Sequence, residues 1–281
     1  MKVRHTSIDS ISETRAFLKS DFPDFFVFDL NGTDQDDILV TPASSDYVVD
    51  AGAGNDVVRI KDGSETALNG VIAGTGSDYV YGASGQDYVL AGGGADRINA
   101  HGSDDRIFGQ GGDDLIIGGN GDDLLNGGAG NDRLLGDRGN DRLFGGSGYD
   151  MLRGGKGTNL LAGGSGGDSY ILLGRDTVTD RGGNDTYAIA LDAKVTINDF
   201  GGLDDLQIAQ QIETLTFERH DNSLLISGLK DGGSVDIEKF FQTEHAIDFL
   251  HTSETFYQMY FLHDLKDGES VNGGDVWGFV S

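Results

Sequence analysis

Three stretches decide the fold: GGNGDDLLN at residues 118–126, GGAGNDRLL at 127–135 and GGSGYDMLR at 145–153. They are units of one nine-residue period that runs without a gap from Ala73 to Ile171, which makes eleven consecutive units. The sixth position is Asp in ten of the eleven units, with Asn159 as the exception. The fourth position is Gly in ten, failing only at Ser103, and the eighth is Val, Ile or Leu in ten. A period held in register for this long predicts a solenoid in which each unit stacks on its neighbours.

The residue types of the unit point to a hard metal ion. Calcium takes six to eight oxygen ligands, from carboxylates and backbone carbonyls, at flexible geometry. Glycines at positions 2 and 4 allow positive φ, which lets a short turn direct several carbonyls towards one point. The formal charge of −27 argues against nucleic acid and anionic membrane surfaces as partners, and it favours cations.

The unit is similar to GGxGxDxUx, the RTX or haemolysin-type calcium-binding repeat, in which U is a large aliphatic residue. The resemblance covers 99 residues tightly and extends more weakly to AGAGNDVVR (51–59) and RGGNDTYAI (181–189). It implies an all-β fold, a right-handed parallel β-roll in which each unit is a six-residue turn followed by a short strand. Two units complete one coil, and several structural Ca²⁺ ions lie between stacked turns.

Carried over residue by residue, the resemblance implies two groups of calcium ligands. The carboxylate ligands are Asp56, Asp78, Asp87, Asp96, Asp105, Asp114, Asp123, Asp132, Asp141, Asp150, Asp168 and Asp185. The turn residues implied to contribute are Gly112, Gly118, Gly119, Asn120, Gly121, Asp122, Gly127, Gly128, Ala129, Gly130, Asn131, Gly136, Arg138, Gly139, Asn140, Gly145, Gly146, Gly148, Gly155, Gly157, Gly164 and Gly166. Irregular units such as the one with His101 and Ser103 reduce the expectation to roughly six or seven good sites.

The strand residues predict a thin core. With the period of two inside a strand, position 8 points inwards while positions 7 and 9 point outwards. One aliphatic side chain per unit cannot offset the backbone entropy of so many glycines, so we expect metal binding to hold the fold together. Alternate units share a face, and one outer face is predicted to carry Tyr88, Arg106, Leu124, Arg142, Leu90, Phe108, Asn126 and Phe144. Arginine beside aromatic rings suits an acidic polysaccharide, although such residues also simply cover a sheet.

The flanks predict a cap at each end of the roll, because a solenoid needs its coil ends covered. Residues 1–50 are predicted as an N-terminal cap, with a short helix near Ser10 and Glu13 and a strand at FFVFDL (25–30). Residues 51–185 are predicted as the β-roll. Residues 186–281 are predicted as a β-rich C-terminal cap with strands at 186–191, 194–200 and 201–208 and a meander over 215–240.

Localisation and secretion are predicted from both ends of the sequence. The first twenty residues lack the apolar run of a secretory leader, and DVWGFVS (275–281) resembles the end of a type I secretion signal. We therefore expect an extracellular protein exported through a C-terminal signal by the type I machinery. No stretch approaches the length of a transmembrane segment.

No catalytic motif accounts for the sequence, so we expect a protein that is not an enzyme. GGSGG (163–167) matches a nucleophile elbow, but Ser165 is the variable third position of a repeat unit. The six histidines include no zinc-protease signature. The predicted function is a secreted calcium-binding RTX protein that folds outside the cell as a binding or matrix component, with extracellular polysaccharide as its candidate partner. The alternatives are a non-catalytic module of a secreted exoenzyme such as an alginate epimerase or lyase, and a small membrane-active RTX protein.

Overall fold

The computed structural model describes residues 28–42, 47–61, 68–211, 214–240, 249–252, 256–258 and 265–273. These residues form two β-sheets, called sheet A and sheet B, which share one hydrophobic core. Sheet A has the strand order β1 (Phe28–Thr33), β3 (Tyr47–Gly52), β5 (Leu68–Thr75), β7 (Gln86–Gly93), β9 (Arg106–Gly111), β11 (Leu124–Ala129), β13 (Arg142–Ser147), β15 (Thr158–Ser165), β17 (Arg175–Thr179), β19 (Lys194–Asn198), β23 (Ser234–Ile237), β22 (Ser223–Ser227), β21 (Thr216–His220) and β26 (Ser270–Asn272). Sheet B has the order β2 (Ile38–Val40), β4 (Val57–Arg59), β6 (Tyr79–Tyr81), β8 (Arg97–Asn99), β10 (Leu115–Asn120), β12 (Arg133–Arg138), β14 (Met151–Lys156), β16 (Ser169–Leu172), β18 (Thr186–Ile189), β20 (Asp205–Ile208), β24 (Phe249–His251) and β25 (Phe256–Gln258).

The chain alternates between the sheets because each nine-residue unit supplies one strand and one turn. Strands that neighbour each other in a sheet therefore come from units two apart and run parallel: Leu125 of β11 pairs with Ile107 of β9 and with Leu143 of β13. We call the turns that lead from sheet A to sheet B edge 1, and the turns that lead back edge 2. This arrangement is a parallel β-roll, which confirms the predicted all-β fold.

The core of the roll is a column of position-8 side chains, as predicted. Ile107, Ile116, Leu125, Leu134, Leu143, Leu152 and Leu161 are all fully buried. Position 7 and position 9 face outwards, and the predicted outer stripe is in register, since Tyr88 pairs with Arg106 and Leu90 with Phe108. The side chains of Tyr88 and Leu90 are nevertheless buried, at 6% and 7% exposure. The centroid of the Tyr88 ring lies 5.7 Å from the centroid of the Phe108 ring.

Both sheets continue beyond the regular repeats. Strands β1 to β4 add coils before residue 60, and β17 to β20 add coils after residue 171, all in parallel pairing. The division at residues 50 and 185 remains a prediction about folding units, because the sheets run across both positions.

The C-terminal end of sheet A changes from parallel to antiparallel pairing. Strand β23 joins β19 in parallel, and β22, β21 and β26 then continue antiparallel, so the predicted meander is confirmed. Phe217 and Phe240 are fully buried at this end. Large aromatic side chains here fill a core that the narrow repeats fill with single aliphatic residues.

Several predicted segments lie outside the described residues. They are the helix near Ser10 and Glu13, the start of the strand predicted over 25–30, and the secretion signal over 275–281. In the ranges that are described, no helix has the length and apolar character needed to cross a membrane.

Candidate metal centres

The turns of the roll owe their shape to residues in the left-handed region at positions 2 and 4. The predicted ligand glycines at these positions have φ between 97° and 140°; they are Gly112, Gly119, Gly121, Gly128, Gly130, Gly139, Gly146, Gly148, Gly155, Gly157, Gly164 and Gly166. A Cβ atom on Gly121 would lie 2.0 Å from the Ser103 carbonyl oxygen of the turn stacked on it. His101 and Ser103 also take positive φ, so that irregular unit keeps the turn conformation.

The position-6 carboxylates form a ladder that links stacked turns. Except at Asp87, the Oδ1 atom accepts a hydrogen bond from the backbone N–H of the position-6 residue one coil earlier. Asp114 N–H donates to Asp132 at 2.8 Å, Asp132 N–H to Asp150 at 2.8 Å, and Asp150 N–H to Asp168 at 2.9 Å. The ladder holds each carboxylate in one orientation at a buried position.

The second oxygen of these carboxylates is left without a hydrogen bond. Among the described residues this holds for the buried Oδ2 atoms of Asp56, Asp78, Asp96, Asp105, Asp114, Asp123, Asp132, Asp141, Asp150, Asp168 and Asp185. In each unit that begins with glycine, the Oδ2 atom of the position-6 carboxylate lies close to that glycine. A Cβ atom built on Gly118 would lie 2.2 Å from Asp123 Oδ2, and a Cβ atom built on Gly127 would lie 2.1 Å from Asp132 Oδ2. Gly136 and Gly145 repeat this at 2.3 Å from Asp141 and Asp150. Buried anionic oxygens of this kind require a cation, so the residues fit calcium.

Burial makes the charged form of these carboxylates costly. Loss of solvation raises the pKa of Asp96, Asp114, Asp123 and Asp150 to about 7, and that of Asp105 to about 9. Backbone N–H groups partly oppose this effect, and neighbouring carboxylates add to it. A bound divalent cation would reverse the balance and keep the groups ionised.

The remaining predicted turn residues lie on the outer rim. Asn120, Ala129 and Arg138 at position 3, and Asp122, Asn131 and Asn140 at position 5, have exposed side chains. Position 5 forms a second ladder in the opposite direction, in which Asn131 N–H donates to Asp113 Oδ1 at 2.7 Å and Asn140 N–H to Asp122 Oδ1 at 2.7 Å. Sequence reasoning did not anticipate this ladder, and the calcium role of these residues remains a prediction.

The two edges differ in how many carboxylates they present. Among the residues that the structure describes, eight stacked turns on edge 1 from Asp56 to Asp185 each carry a hydrogen-bond-free Oδ2, whereas edge 2 has three, at Asp105, Asp123 and Asp141. The predicted ligand Asp87 differs, because its oxygens accept hydrogen bonds from Asn69 Nδ2 at 2.9 Å and Ala83 N–H at 2.8 Å. The unit at 82–90 is not a regular turn, because neither Ala83 nor Gly85 takes a positive φ.

Sequence reasoning missed several acidic residues at the C-terminal end of edge 1. Asp180, Asp199 and Asp204 are fully buried, and Asp185 N–H extends the position-6 ladder to Asp204 Oδ1 at 2.8 Å. The signal was present in the sequence as two related stretches, DRGGND at 180–185 and DFGGLD at 199–204. Their spacing of 19 residues, against 18 in the regular block, places them outside the strict period.

Comparison with known proteins agrees with this geometry. The family model of the RTX calcium-binding nonapeptide repeat matches residues 71–98, 99–134 and 135–170, which contain the regular units. No curated protein matches the chain. The block from residue 71 to residue 170 therefore consists of RTX calcium-binding repeats.

Proposed function

We propose that the chain is a secreted RTX protein whose fold depends on calcium and which acts outside the cell as a non-enzymatic binding or matrix component. The observation that carries the calcium part is the file of buried carboxylates whose Oδ2 atoms accept no hydrogen bond. Ions placed between stacked turns would occupy about seven gaps between the eight carboxylates on edge 1 and about two on edge 2, consistent with oxygen-rich calcium coordination.

The role of these ions is structural because the metal-free roll is electrostatically unfavourable. An unpaired buried carboxylate costs several kcal/mol, so a file of them opposes folding. When ligands assemble only in the folded chain, the free energy of metal binding becomes free energy of folding. We therefore expect a disordered chain at the low calcium of the cytosol and a cooperative transition to the roll at extracellular calcium.

Circular dichroism during a calcium titration tests this part. The β-sheet signal should appear sigmoidally with added calcium and disappear with excess EDTA. Magnesium is the control, and it should not substitute because it requires tighter octahedral geometry and gives up its waters reluctantly. A sheet signal that persists in excess EDTA would refute the structural role.

The partner part of the proposal rests on basic side chains on the flat outer faces of the roll. On sheet A, the Arg142 guanidinium lies 5.6 Å from the Phe144 ring centroid. On sheet B, Arg59 lies 4.9 Å from the Tyr81 centroid and Arg97 lies 5.3 Å from Tyr79. The buried carboxylates lie in the turns, so the faces and the basic position-3 side chains beside them are the parts of this acidic molecule that an anionic polymer can approach.

A groove where sheet B meets the edge 2 turns is a candidate surface for such a polymer. It has a volume of about 790 Å³, and its lining includes His101, Arg138, Arg153 and Lys156. Arg153 pairs with Asp137 at 3.5 Å. Asp192 also lines the groove. Arg138 and Lys156 are exposed, so these two side chains are the groups that would bind the carboxylates of a polysaccharide.

Co-sedimentation with a polyuronate in calcium tests the partner. The double variant Arg138→Gln, Lys156→Gln should bind several-fold more weakly, and Arg181→Gln, an exposed arginine on an edge 1 turn, is the matched control. A neutral glucan should not bind. Equal binding by the groove variant and the control would refute the groove as the binding surface.

The same groove favours one alternative, a non-catalytic carbohydrate-binding module of a secreted exoenzyme such as an alginate epimerase or lyase. Both functions leave the polysaccharide chemically unaltered by the chain itself, and they differ in whether a catalytic domain accompanies the chain. We propose no catalytic role, and incubation of the polyuronate with the protein, followed by sizing and composition analysis, tests this. Export by the type I machinery is tested by deleting residues 275–281 in a secreting host.

A further inference from the structure

The last coils on edge 1 depart from the repeat at position 1. In the regular edge 1 turns this buried position is Ala or Gly, as at Ala91, Gly109 and Gly127. In the two turns that follow residue 171 it is Asp180 and Asp199, both fully buried. A buried carboxylate in place of a hydrogen atom or a methyl group is costly, so it needs a compensating cation or proton.

These added carboxylates join the position-6 ladder to form two clusters of three. Carboxylate oxygens of Asp168, Asp180 and Asp185 lie within 4.8 Å of one another, and so do those of Asp185, Asp199 and Asp204. All five residues are at most 2% exposed. Asp185 belongs to both clusters.

Two oxygen atoms in the clusters have the character of metal ligands. Asp168 Oδ2 and Asp185 Oδ2 are buried and accept no hydrogen bond. These two carboxylates are 2% and 1% exposed, and each has its Oδ1 atom engaged by the backbone N–H of the preceding coil. The oxygens that remain are available to a cation held between the carboxylates.

Two tyrosines hold the added carboxylates in place. Tyr170 and Tyr187 take the position-8 column where the repeats have aliphatic residues, and their rings stack with centroids 5.0 Å apart. Tyr170 Oη donates to Asp180 Oδ2, and Tyr187 Oη donates to Asp199 Oδ2 at 2.5 Å. Hydrogen bonds of this kind orient metal ligands and tune their affinity.

The charge differs from that of the regular turns. The regular part of edge 1 supplies one buried position-6 carboxylate per turn, so two adjacent gaps are bounded by three carboxylates. The five aspartates at the end supply five carboxylates for two gaps. Calcium affinity rises with the number of charged ligands and with the rigidity of the site.

We propose that these clusters are two three-carboxylate calcium sites that share Asp185, bind calcium more tightly than the gaps between regular turns, and fill first. This inference rests on the proposed calcium-dependent fold and assigns an order of occupancy to it. The regular file then fills from an end that is already ordered.

Calcium binding to the full-length chain, measured in competition with a chromophoric chelator, tests the order. The wild-type protein should bind two ions at a free calcium concentration roughly tenfold or more below the rest. The double variant Asp180→Asn, Asp199→Asn keeps the shape and an acceptor for each tyrosine, and it should lose this tight class. The matched control Asp96→Asn, Asp114→Asn should keep the tight class and weaken only the later ions.

Terbium provides a readout that does not depend on a folded variant. Terbium replaces calcium and emits when a nearby tyrosine is excited, so emission from the wild-type chain should rise most steeply with the first two equivalents. It should then rise more slowly, because Tyr149 lies in a regular edge 1 turn. Tyr170→Phe, Tyr187→Phe should abolish most of this emission while two ions still bind.

The outcomes separate this inference from the proposed function. A single class of ions, or equal weakening by the two aspartate pairs, would overturn the inference while leaving calcium-dependent folding intact. Emission that rises evenly through all equivalents would do the same. Absence of any calcium binding would refute the proposed function itself.

Discussion

Replacement of Asp132, in the middle of the edge 1 file, is the most direct test of the carboxylate ladder. Asp132 is 1% exposed, its Oδ1 accepts the Asp114 N–H at 2.8 Å, and its Oδ2 accepts no hydrogen bond. Asp132→Ala removes both the acceptor and the proposed ligand. Asp132→Asn keeps an acceptor and removes only the charge, as Asn159 does naturally where it accepts the Asp141 N–H at 3.0 Å.

The magnitude follows from these two losses. A buried N–H left without its charged acceptor costs about 2 kcal/mol. Loss of a residue that only supports a metal ligand lowers metal affinity roughly tenfold to hundredfold, which corresponds to about 1.4 to 2.8 kcal/mol, and loss of a ligand itself costs at least as much. The total for Asp132→Ala is about 4 kcal/mol. If about nine ions bind cooperatively with folding, the loss of about 4 kcal/mol is compensated by about a ninth of that amount per ion. The calcium concentration at the folding midpoint then rises only about twofold.

The calcium midpoint, measured by circular dichroism, separates the variants. We expect about a twofold rise for Asp132→Ala and about 1.5-fold for Asp132→Asn, from the same arithmetic. Asp113→Asn is the matched control, since Asp113 is an exposed acceptor on the same edge whose Oδ1 receives the Asn131 N–H. Equal midpoints for Asp132→Ala and Asp113→Asn would refute the assignment of position 6 as the ligand position.

Three further predictions concern pH, the turn and the C-terminal end. Burial raises the folded-state pKa of carboxylates such as Asp114 to about 7 and Asp105 to about 9. Protonation of these groups therefore stabilises the calcium-free fold, and this stabilisation is fully present below about pH 4 and is lost as the pH rises through 7 to 9. Circular dichroism in EDTA should therefore show more sheet at pH 4 than at pH 8, and the reverse order would contradict the burial argument. Gly139→Ala should destabilise the calcium-loaded roll by about 2 kcal/mol in chemical denaturation, because Gly139 has φ of 140° and its added Cβ would lie 1.7 Å from the Gly121 carbonyl oxygen. The control Gly111→Ala should be nearly neutral in the same measurement, because its Cβ would have no neighbour nearer than 3.9 Å. A chain ending at residue 185 lacks the buried Phe217 and Phe240 and should need several-fold more calcium to fold or should aggregate in light scattering; folding at the full-length midpoint would show that the C-terminal strands do not act as a cap.

The regular roll was predictable from the sequence because its signals are local and repeated. The Asp at position 6, the glycines at positions 2 and 4 and the aliphatic residue at position 8 each specify one backbone or side-chain orientation. Stacking in register then follows from the fixed period, as in the pairing of Leu125 with Leu143. The meander after residue 215 was predictable for a similar reason, since alternating apolar residues flank short turns.

Other features were decided only by the tertiary structure, because they depend on which residues meet across coils. Asp87 has the expected position in the repeat, yet Asn69 and Ala83 N–H occupy its oxygens, and no pattern within the unit shows that contact. The greater number of hydrogen-bond-free carboxylates on edge 1 emerges only when alternate turns are assigned to opposite edges. Asp180 and Asp199 begin the related stretches at 180–185 and 199–204, but the stretches do not show which residues surround them in the fold. Their burial beside Asp185, under the hydroxyl groups of Tyr170 and Tyr187, arises from coil stacking that local propensities do not encode.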